Sequence, residues 1–182
     1  MAAVVTSTVA EAISRIPDPE VPVITIAELG ILRDVEVDEQ AHTVIVTITP
    51  TYSGCPAMEA IASRITFEAH QQGYAADVRT QLSPAWTTDW MTDEGREVLR
   101  RFGIAPPGPV SSSVAGSVAA SVSGSSAESR GPVAVTLQRH VVACPRCGST
   151  DTTEIAHFGS TACKALRRCS ACLEPFDEFK AI

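Results

Sequence analysis

Four cysteines near the C-terminal end have the spacing of a metal site. Cys144-Pro-Arg-Cys147 and Cys169-Ser-Ala-Cys172 are two C-x-x-C pairs separated by 21 residues. Each short turn directs two sulfurs at a common point, and two such turns on neighbouring hairpins complete a tetrahedral site of four sulfurs. The pattern predicts one zinc ion, with a mononuclear iron or an iron–sulfur cluster as the alternative. Because four thiolates leave no open position for a substrate, we expect a structural ion.

Cys55 is the candidate reactive thiol of the first half. It precedes Pro56, at a point where a predicted strand gives way to a glycine-containing turn and a helix. Proline suits the first position of a helix, which places Cys55 at or beside the N-cap, where N–H groups and the helix dipole stabilise a thiolate. We expect a nucleophile, a ligand of iron or a cluster, or a persulfide carrier; a cysteine that only fills a packing gap is the alternative. No histidine stands in the sequence as an obvious base, which disfavours hydrolysis.

Two weaker candidates accompany these cysteines. Asp18-Pro19-Glu20 holds two carboxylates in a stretch stiffened by proline. They could bind a cation, cap a helix or contact a partner, and a solvated turn is the alternative. Cys163 is the one cysteine of the C-terminal segment that lies outside the two C-x-x-C pairs. It is either a small buried residue or a thiol near the metal that serves as an alternate ligand or as part of a surface for iron–sulfur transfer.

The elements that must position Cys55 follow from hydrophobic periodicity and from helix and turn signals. Alternating or β-branched stretches indicate strands, and apolar residues at helical spacing indicate helices. The prediction is an α+β fold with a small three-stranded mixed sheet. Its helices are expected at 7–15, 56–72 and 92–102, and its strands at 31–37, 43–49 and 76–82.

The rest of the chain divides into a linker and a small metal-dependent domain. Residues 106–133 are rich in Ser, Ala, Gly and Pro, which is typical of a flexible tether. The segment after the linker contains three strand candidates, in 133–142, in 152–159 and in 165–169, but too few residues for a conventional core. We therefore predict an α/β domain at 1–105, a linker at 106–133 and a zinc-ribbon-like β domain at 134–182 that depends on its metal.

Charge and hydropathy exclude several classes of function. The formal net charge is −7, whereas a general nucleic-acid binder needs clustered Lys and Arg to displace counterions. No apolar run approaches the ~20 residues of a membrane span, and the N-terminus lacks the features of a signal peptide. We expect a cytoplasmic protein without nucleic-acid or membrane partners. In a reducing compartment its six cysteines are metal ligands or thiols rather than disulfides.

Motifs in both halves carry a family resemblance. Those of the first half are Asp18-Pro19-Glu20, Ile24-x-Ile26-x-x-Leu29-Gly30-Ile31, Thr47-x-Thr49 and Gly54-Cys55-Pro56. They resemble the small iron–sulfur-assembly domain of SufT-like proteins. Those of the second half are Cys144-Pro-Arg-Cys147-Gly-Ser, Phe158-Gly-Ser-Thr-x-Cys163-Lys-Ala-Leu and Glu174-Pro-Phe-Asp-x-Phe-Lys. They resemble the PaaD (PaaJ) family, whose members are encoded with the bacterial phenylacetyl-CoA 1,2-epoxidases. The long Ser/Ala-rich linker departs from the family pattern.

The resemblance implies an accessory, non-catalytic role in phenylacetate degradation. The epoxidase has a diiron oxygenase subunit and a reductase with a flavin and a [2Fe–2S] cluster, and the PaaD protein is expected to help mature one of these centres. The oxygenase or reductase subunits would be its partners, with iron–sulfur assembly proteins as further candidates. By the resemblance, Cys55 handles iron or a cluster near Asp18 and Glu20, and Cys163 matches a family cysteine. The alternatives are a structural component of the complex and an enzyme that uses Cys55 as a nucleophile.

Overall fold

The computed structural model describes residues 8–52, 54–108 and 141–181. In these ranges the chain forms three α-helices and seven strands. The helices are α1 (Thr8–Ser14), α2 (Ala57–Gln71) and α3 (Asp93–Phe102). The strands are β1 (Leu32–Asp38), β2 (Thr43–Ile48), β3 (Ala75–Thr80), β4 (Ile104–Ala105), β5 (Thr152–Ala156), β6 (Lys164–Cys169) and β7 (Pro175–Phe179).

The first sheet has the order β1-β2-β3 and confirms the predicted mixed topology. Strands β1 and β2 form an antiparallel hairpin, and β3 returns parallel to β2 after the α2 crossover. Every second residue of β2 is buried, and the residues of α2 that pack below it recur every four positions. This spacing puts one face of the helix on one face of the sheet. The side chains concerned are Val44, Val46, Ile48, Ile61, Ile65 and Ala69.

The helix ends follow the signals in the sequence. The Thr92 hydroxyl accepts the amide of Gly95 at 3.0 Å and caps α3. Gly103 ends the same helix with φ +86°, and Gly73 follows α2 with φ +83°. A left-handed residue after a helix lets the last carbonyls find N–H partners, and glycine adopts it without a Cβ penalty.

The second sheet has the order β4-β7-β6-β5. Strands β5, β6 and β7 are antiparallel neighbours; β5 and β6 correspond to the strand candidates in 152–159 and 165–169, whereas the sequence did not indicate β7. The sequence did not indicate β4, in which Ile104–Ala105 pairs in parallel with β7. The strand predicted in 133–142 is not seen in its described part, because residues 141–142 are irregular. The remainder of that stretch lies outside the described residues.

Residues of both sheets belong to one large apolar core, and a second, smaller cluster contains Phe176 of β7. Phe179, at the end of β7, is fully buried in the same cluster as Val9 and Ile13 of α1. Its ring lies 6.1 Å from that of Trp86, whose Nε1 donates to the Leu29 carbonyl at 3.1 Å. The ribbon therefore packs on the first α/β unit over the described ranges. The three-part division of the chain stays a prediction, because most of the linker, residues 109–133, lies outside them.

No helix in residues 8–52, 54–108 or 141–181 combines the length and apolar character that a membrane crossing needs.

Candidate metal and thiol sites

The four predicted ligands of the ribbon lie together. Cys144 and Cys147 belong to the turn before β5, Cys169 ends β6, and Cys172 follows it in the turn to β7. The sulfurs of Cys144 and Cys172 are 3.8 Å apart, and those of Cys147 and Cys169 are 3.6 Å apart. All four sulfurs lie within 4.8 Å of one another.

These distances fit a tetrahedral ion. Metal–sulfur bonds of about 2.3 Å in tetrahedral geometry place the sulfurs about 3.8 Å from one another. The donor set is four soft sulfurs, which zinc and iron accept and which magnesium or calcium do not. In the part of the chain that the structure describes, this is the one group of three or more Cys, His, Asp or Glu side chains whose ligand atoms approach so closely.

Two unusual backbone positions shape the turns. Gly148 follows the first cysteine pair with φ +76°, and its amide donates to the Cys144 carbonyl at 2.9 Å. Leu173 follows the second pair in the same conformation, with φ +65°. A left-handed conformation disfavours a side chain with a Cβ. Nothing in the sequence indicates that Leu173 adopts the position equivalent to that of Gly148.

Backbone N–H groups in the second turn favour a thiolate. The pKa of Cys169 is lowered to about 7, first by the hydrogen bond from the Cys172 amide and then by that from Ala171. A thiol must lose its proton to bind a metal. The pKa of Cys147 is raised to about 12 and that of Cys172 is also raised, so the lowered pKa belongs to one thiol of the four and not to the whole site.

Asp18 is buried and organises a tight turn in the first unit. Its Oδ1 accepts the amides of Glu20 at 2.9 Å and Val21 at 2.8 Å. Its own amide donates to the Ile24 carbonyl at 2.9 Å. Burial raises the pKa of the Asp18 carboxyl, while the two amides and the nearby Lys164 charge act in the opposite direction. Asp18 is thus a structural anchor that fixes where Glu20 lies.

Glu20 and Cys163 meet at the junction between the two sheets. The Cys163 sulfur lies 4.0 Å from Glu20 Oε2 and 3.0 Å from the Thr161 hydroxyl. Cys163 is buried and Glu20 is half-buried. Burial, followed by the neighbouring Asp18 carboxylate, raises the pKa of Glu20. The junction brings residues 143 positions apart in the sequence into contact.

Cys55 belongs to the same neighbourhood. Its thiol feels the charges of Glu20 and Asp18 and is hydrogen-bonded to the Thr51 side chain. Tyr52 interacts electrostatically with Cys55, Glu20 and Cys163. The structure therefore places Cys55, Cys163, Asp18 and Glu20, the four candidates outside the ribbon site, in one cluster, which we call the junction cluster.

The prediction that the helix start stabilises a Cys55 thiolate is wrong, because the pKa of this thiol is raised. Pro56 is the N-cap and α2 begins at Ala57, so Cys55 lies one residue before the cap. The Ala57 amide does hydrogen-bond to the sulfur, as a helix start should. Burial nevertheless dominates, and with the negative carboxylates it raises the pKa of the Cys55 thiol. The hydrogen bond at the helix start lowers the pKa of Cys55, but by less than burial raises it, so the thiol keeps its proton at neutral pH.

The sequence did not indicate that a buried lysine lies beside the junction cluster. Lys164 is 5% exposed, its Nζ lies 3.4 Å from Asp177 Oδ2, and its charge acts on Asp18, Glu20 and Cys163. Its backbone is held by the Gly159 amide, which donates to its carbonyl at 2.8 Å. The position of Lys164 next to Cys163 was the available signal. Its burial depends on the packing of the ribbon on the first unit, which the spacing does not reveal.

Comparisons with known proteins match both halves. Residues 128–180 match the family described as "PaaD zinc beta ribbon domain", and residues 6–71 match the family described as "Iron-sulfur cluster assembly protein". A protein of Escherichia coli (strain K12), named as the putative D component of 1,2-phenylacetyl-CoA epoxidase, is 45% identical over 171 residues, which cover 93% of this chain and 89% of that protein.

Solved structures align with the first half. A domain of unknown function, DUF59, from Bacillus anthracis is 24% identical, with a TM-score of 0.46 over 50% of this chain and 87% of that one. A conserved hypothetical protein from Thermotoga maritima is 28% identical, with a TM-score of 0.41 over 52% of this chain and 90% of that one. By its identity to the E. coli protein along nearly the whole length of both, the chain belongs to the PaaD family of 1,2-phenylacetyl-CoA epoxidase components.

Proposed function

We propose that the chain is an accessory protein of phenylacetyl-CoA epoxidase that assists assembly of an iron or iron–sulfur centre. The observation that carries the proposal is the junction cluster. It gathers two thiols and two carboxylates, of which Cys55 and Glu20 are half-buried, and these are groups that can hold iron. The oxygenase or the reductase subunit is the candidate client, and iron–sulfur assembly proteins are the candidate donors.

In this function the four-cysteine site and Cys55 have different roles. The four-cysteine site holds zinc and keeps the ribbon folded, since a closed site of four thiolates offers no exchangeable position. Cys55 takes up the cargo, because it is half-buried and therefore within reach of a partner. The Asp18 turn presents Glu20 beside it.

The protonation of Cys55 favours metal handling over nucleophilic catalysis. Burial raises the pKa of its thiol, so little thiolate exists at neutral pH without a cation. A nucleophilic cysteine needs a lowered pKa or an adjacent base. The groups that act on Cys55 are a backbone amide, a hydroxyl and two carboxylates. An arriving cation would itself displace the proton.

The test is activation of the epoxidase in cells that make its other subunits together with Cys55→Ser. We expect loss of oxygenase activity and of iron or cluster from the client, with the fold and zinc content of the variant unchanged. Ala60→Ser, which adds the same hydroxyl at an exposed position of α2, is the control and should support full activity. Full activity with Cys55→Ser would exclude the proposal.

A second candidate is a structural component of the epoxidase complex. It is favoured by an apolar edge of the ribbon, where Ile155 is 56% exposed and Leu173 is 62% exposed beside Arg168. Exposed apolar groups next to a cation are typical of a protein contact. This candidate predicts stoichiometric co-purification with the mature enzyme. A purified oxygenase that is fully active without the chain would exclude it.

A further inference from the structure

The junction cluster is built from segments that are far apart in the sequence. Cys163 comes from the ribbon, immediately before β6, whereas Glu20 and Cys55 come from the first unit. The Cys163 backbone is fixed from the other side, because its carbonyl accepts the Lys180 amide at 3.0 Å. The ribbon therefore presents one thiol to the first unit at a defined place.

Each of the two thiols in the junction cluster has a threonine hydroxyl as its neighbour. The Thr51 side chain hydrogen-bonds to the Cys55 sulfur, and the Thr161 hydroxyl lies 3.0 Å from the Cys163 sulfur. Both sulfurs interact with the Glu20 carboxylate, which lies 4.0 Å from the sulfur of Cys163. The Glu20 carboxylate is in contact with the Cys163 sulfur and its charge acts on the Cys55 thiol, so the three side chains offer a mixed set of sulfur and oxygen donors. Such a set prefers thiophilic divalent cations to magnesium or calcium.

We propose that Cys55, Cys163 and Glu20 form a second cation site, which takes one thiophilic divalent cation such as Fe²⁺ and exists only while the ribbon packs on the first unit. The inference rests on the proposed function and deepens it, because it gives the ribbon a ligand for the cargo. The step involves no redox change. Each thiol releases one proton to water, two sulfur–metal bonds and one oxygen–metal bond form, and the cation loses water ligands.

The ligand atoms of the second site must move closer together before they can bind a cation. Among the described residues only the four ribbon cysteines already stand at the spacing of metal ligands, and the Cys163 sulfur and Glu20 Oε2 are 4.0 Å apart. Cys55 and Glu20 are half-buried and can change rotamer, whereas Cys163 is fixed in the core. Reorganisation lowers affinity, so the second site should release its cation to a chelator that leaves the ribbon zinc in place.

Cobalt is a suitable probe, because thiolate ligation of Co²⁺ gives an intense ultraviolet charge-transfer band. The zinc-loaded full chain would be titrated with Co²⁺ without air, and zinc release would be measured in parallel. We expect one equivalent of Co²⁺ with a thiolate band and no zinc release. No cobalt binding, or a band that grows only as zinc is released, would overturn the second site and leave the accessory function standing.

Variants separate the ligands from the fold. Cys163→Ser and Cys55→Ser should each lose most of the band, and Glu20→Gln should weaken cobalt binding by about tenfold or more. Cys163→Ala keeps an apolar side chain in the core, so it should lose the band while near-ultraviolet circular dichroism stays native. Glu36→Gln removes the same charge from an exposed position of β1 and should bind as the wild type does. Unchanged binding by both Cys163 variants would overturn the proposal.

Discussion

The four-cysteine site and the junction cluster are assembled in different ways, one from local turns and the other from segments that are distant in the sequence. The sulfurs of the first lie within 4.8 Å of one another, and its ligands come from two local turns of the same sheet. Cys163 and Glu20 of the second are 143 residues apart and meet because the ribbon packs on the first unit. A site built from local turns is closed and suited to holding an ion, whereas a site built at a packing junction can open and is suited to passing one on.

The largest expected effect is the loss of one ribbon ligand. Cys169→Ser should abolish zinc binding and unfold the ribbon, because apparent binding free energies of structural zinc reach about 10–16 kcal/mol. Zinc analysis and circular dichroism would measure both effects. Cys163→Ser, the same change at the residue that precedes β6, is the control and should retain one zinc per chain. Equal zinc loss in both variants would erase the distinction between the two sites.

The next effect concerns the shared core. Phe179→Ala should lower the free energy of unfolding by about 3–5 kcal/mol, because the ring is fully buried and lies beside Trp86 in the shared core. Denaturant titration would measure it, and alkylation would report increased access to Cys163. Phe158, which is 66% exposed, is the control. Phe158→Ala should change stability by no more than about 0.5 kcal/mol. Similar losses in both variants would contradict a core that joins the two units.

A smaller effect tests the role of Asp18 as an anchor. Asp18→Ala removes the acceptor of two backbone amides and should cost about 1–3 kcal/mol, because the Val21 amide is left buried without its partner. Asp18→Asn keeps an oxygen at the same place and should cost much less. The free energy of unfolding distinguishes them. A large loss with Asp18→Asn would show that the charge, rather than the hydrogen bonds, is what the fold requires.

The smallest effect compares the two cysteine turns. Leu173→Gly should stabilise the ribbon by about 1 kcal/mol, since it relieves a left-handed conformation at an exposed side chain. Gly148→Ala should destabilise it by a similar amount through backbone strain alone, because a Cβ there meets nothing within 4 Å. Chelator competition for zinc would measure both changes. Changes of the same sign would show that side-chain contacts outweigh backbone conformation.

Local patterns in the sequence predicted the three helices, the first sheet, β5, β6 and the ribbon site, but not β4 or β7. The spacing of Cys144, Cys147, Cys169 and Cys172 is a local property, and so are the periodicity of α2 and the Thr92 cap. The parallel pairing of Ile104–Ala105 with β7 is a two-residue contact without its own hydrophobic pattern, so the sequence did not indicate it. The burial of Lys164 and the raised pKa of Cys55 arise from packing between distant segments, which no local pattern encodes.

We propose that the ribbon keeps its ion while the junction cluster gives its ion up. Metal analysis of the full chain, loaded with zinc and then with Fe²⁺ without air, distinguishes the two sites when it is done before and after brief treatment with a chelator. We expect one zinc and one iron per chain before treatment and one zinc alone afterwards, with no iron at either stage in Cys55→Ser. Iron that binds equally well to Cys55→Ser, or that replaces zinc in the ribbon, would contradict this proposal.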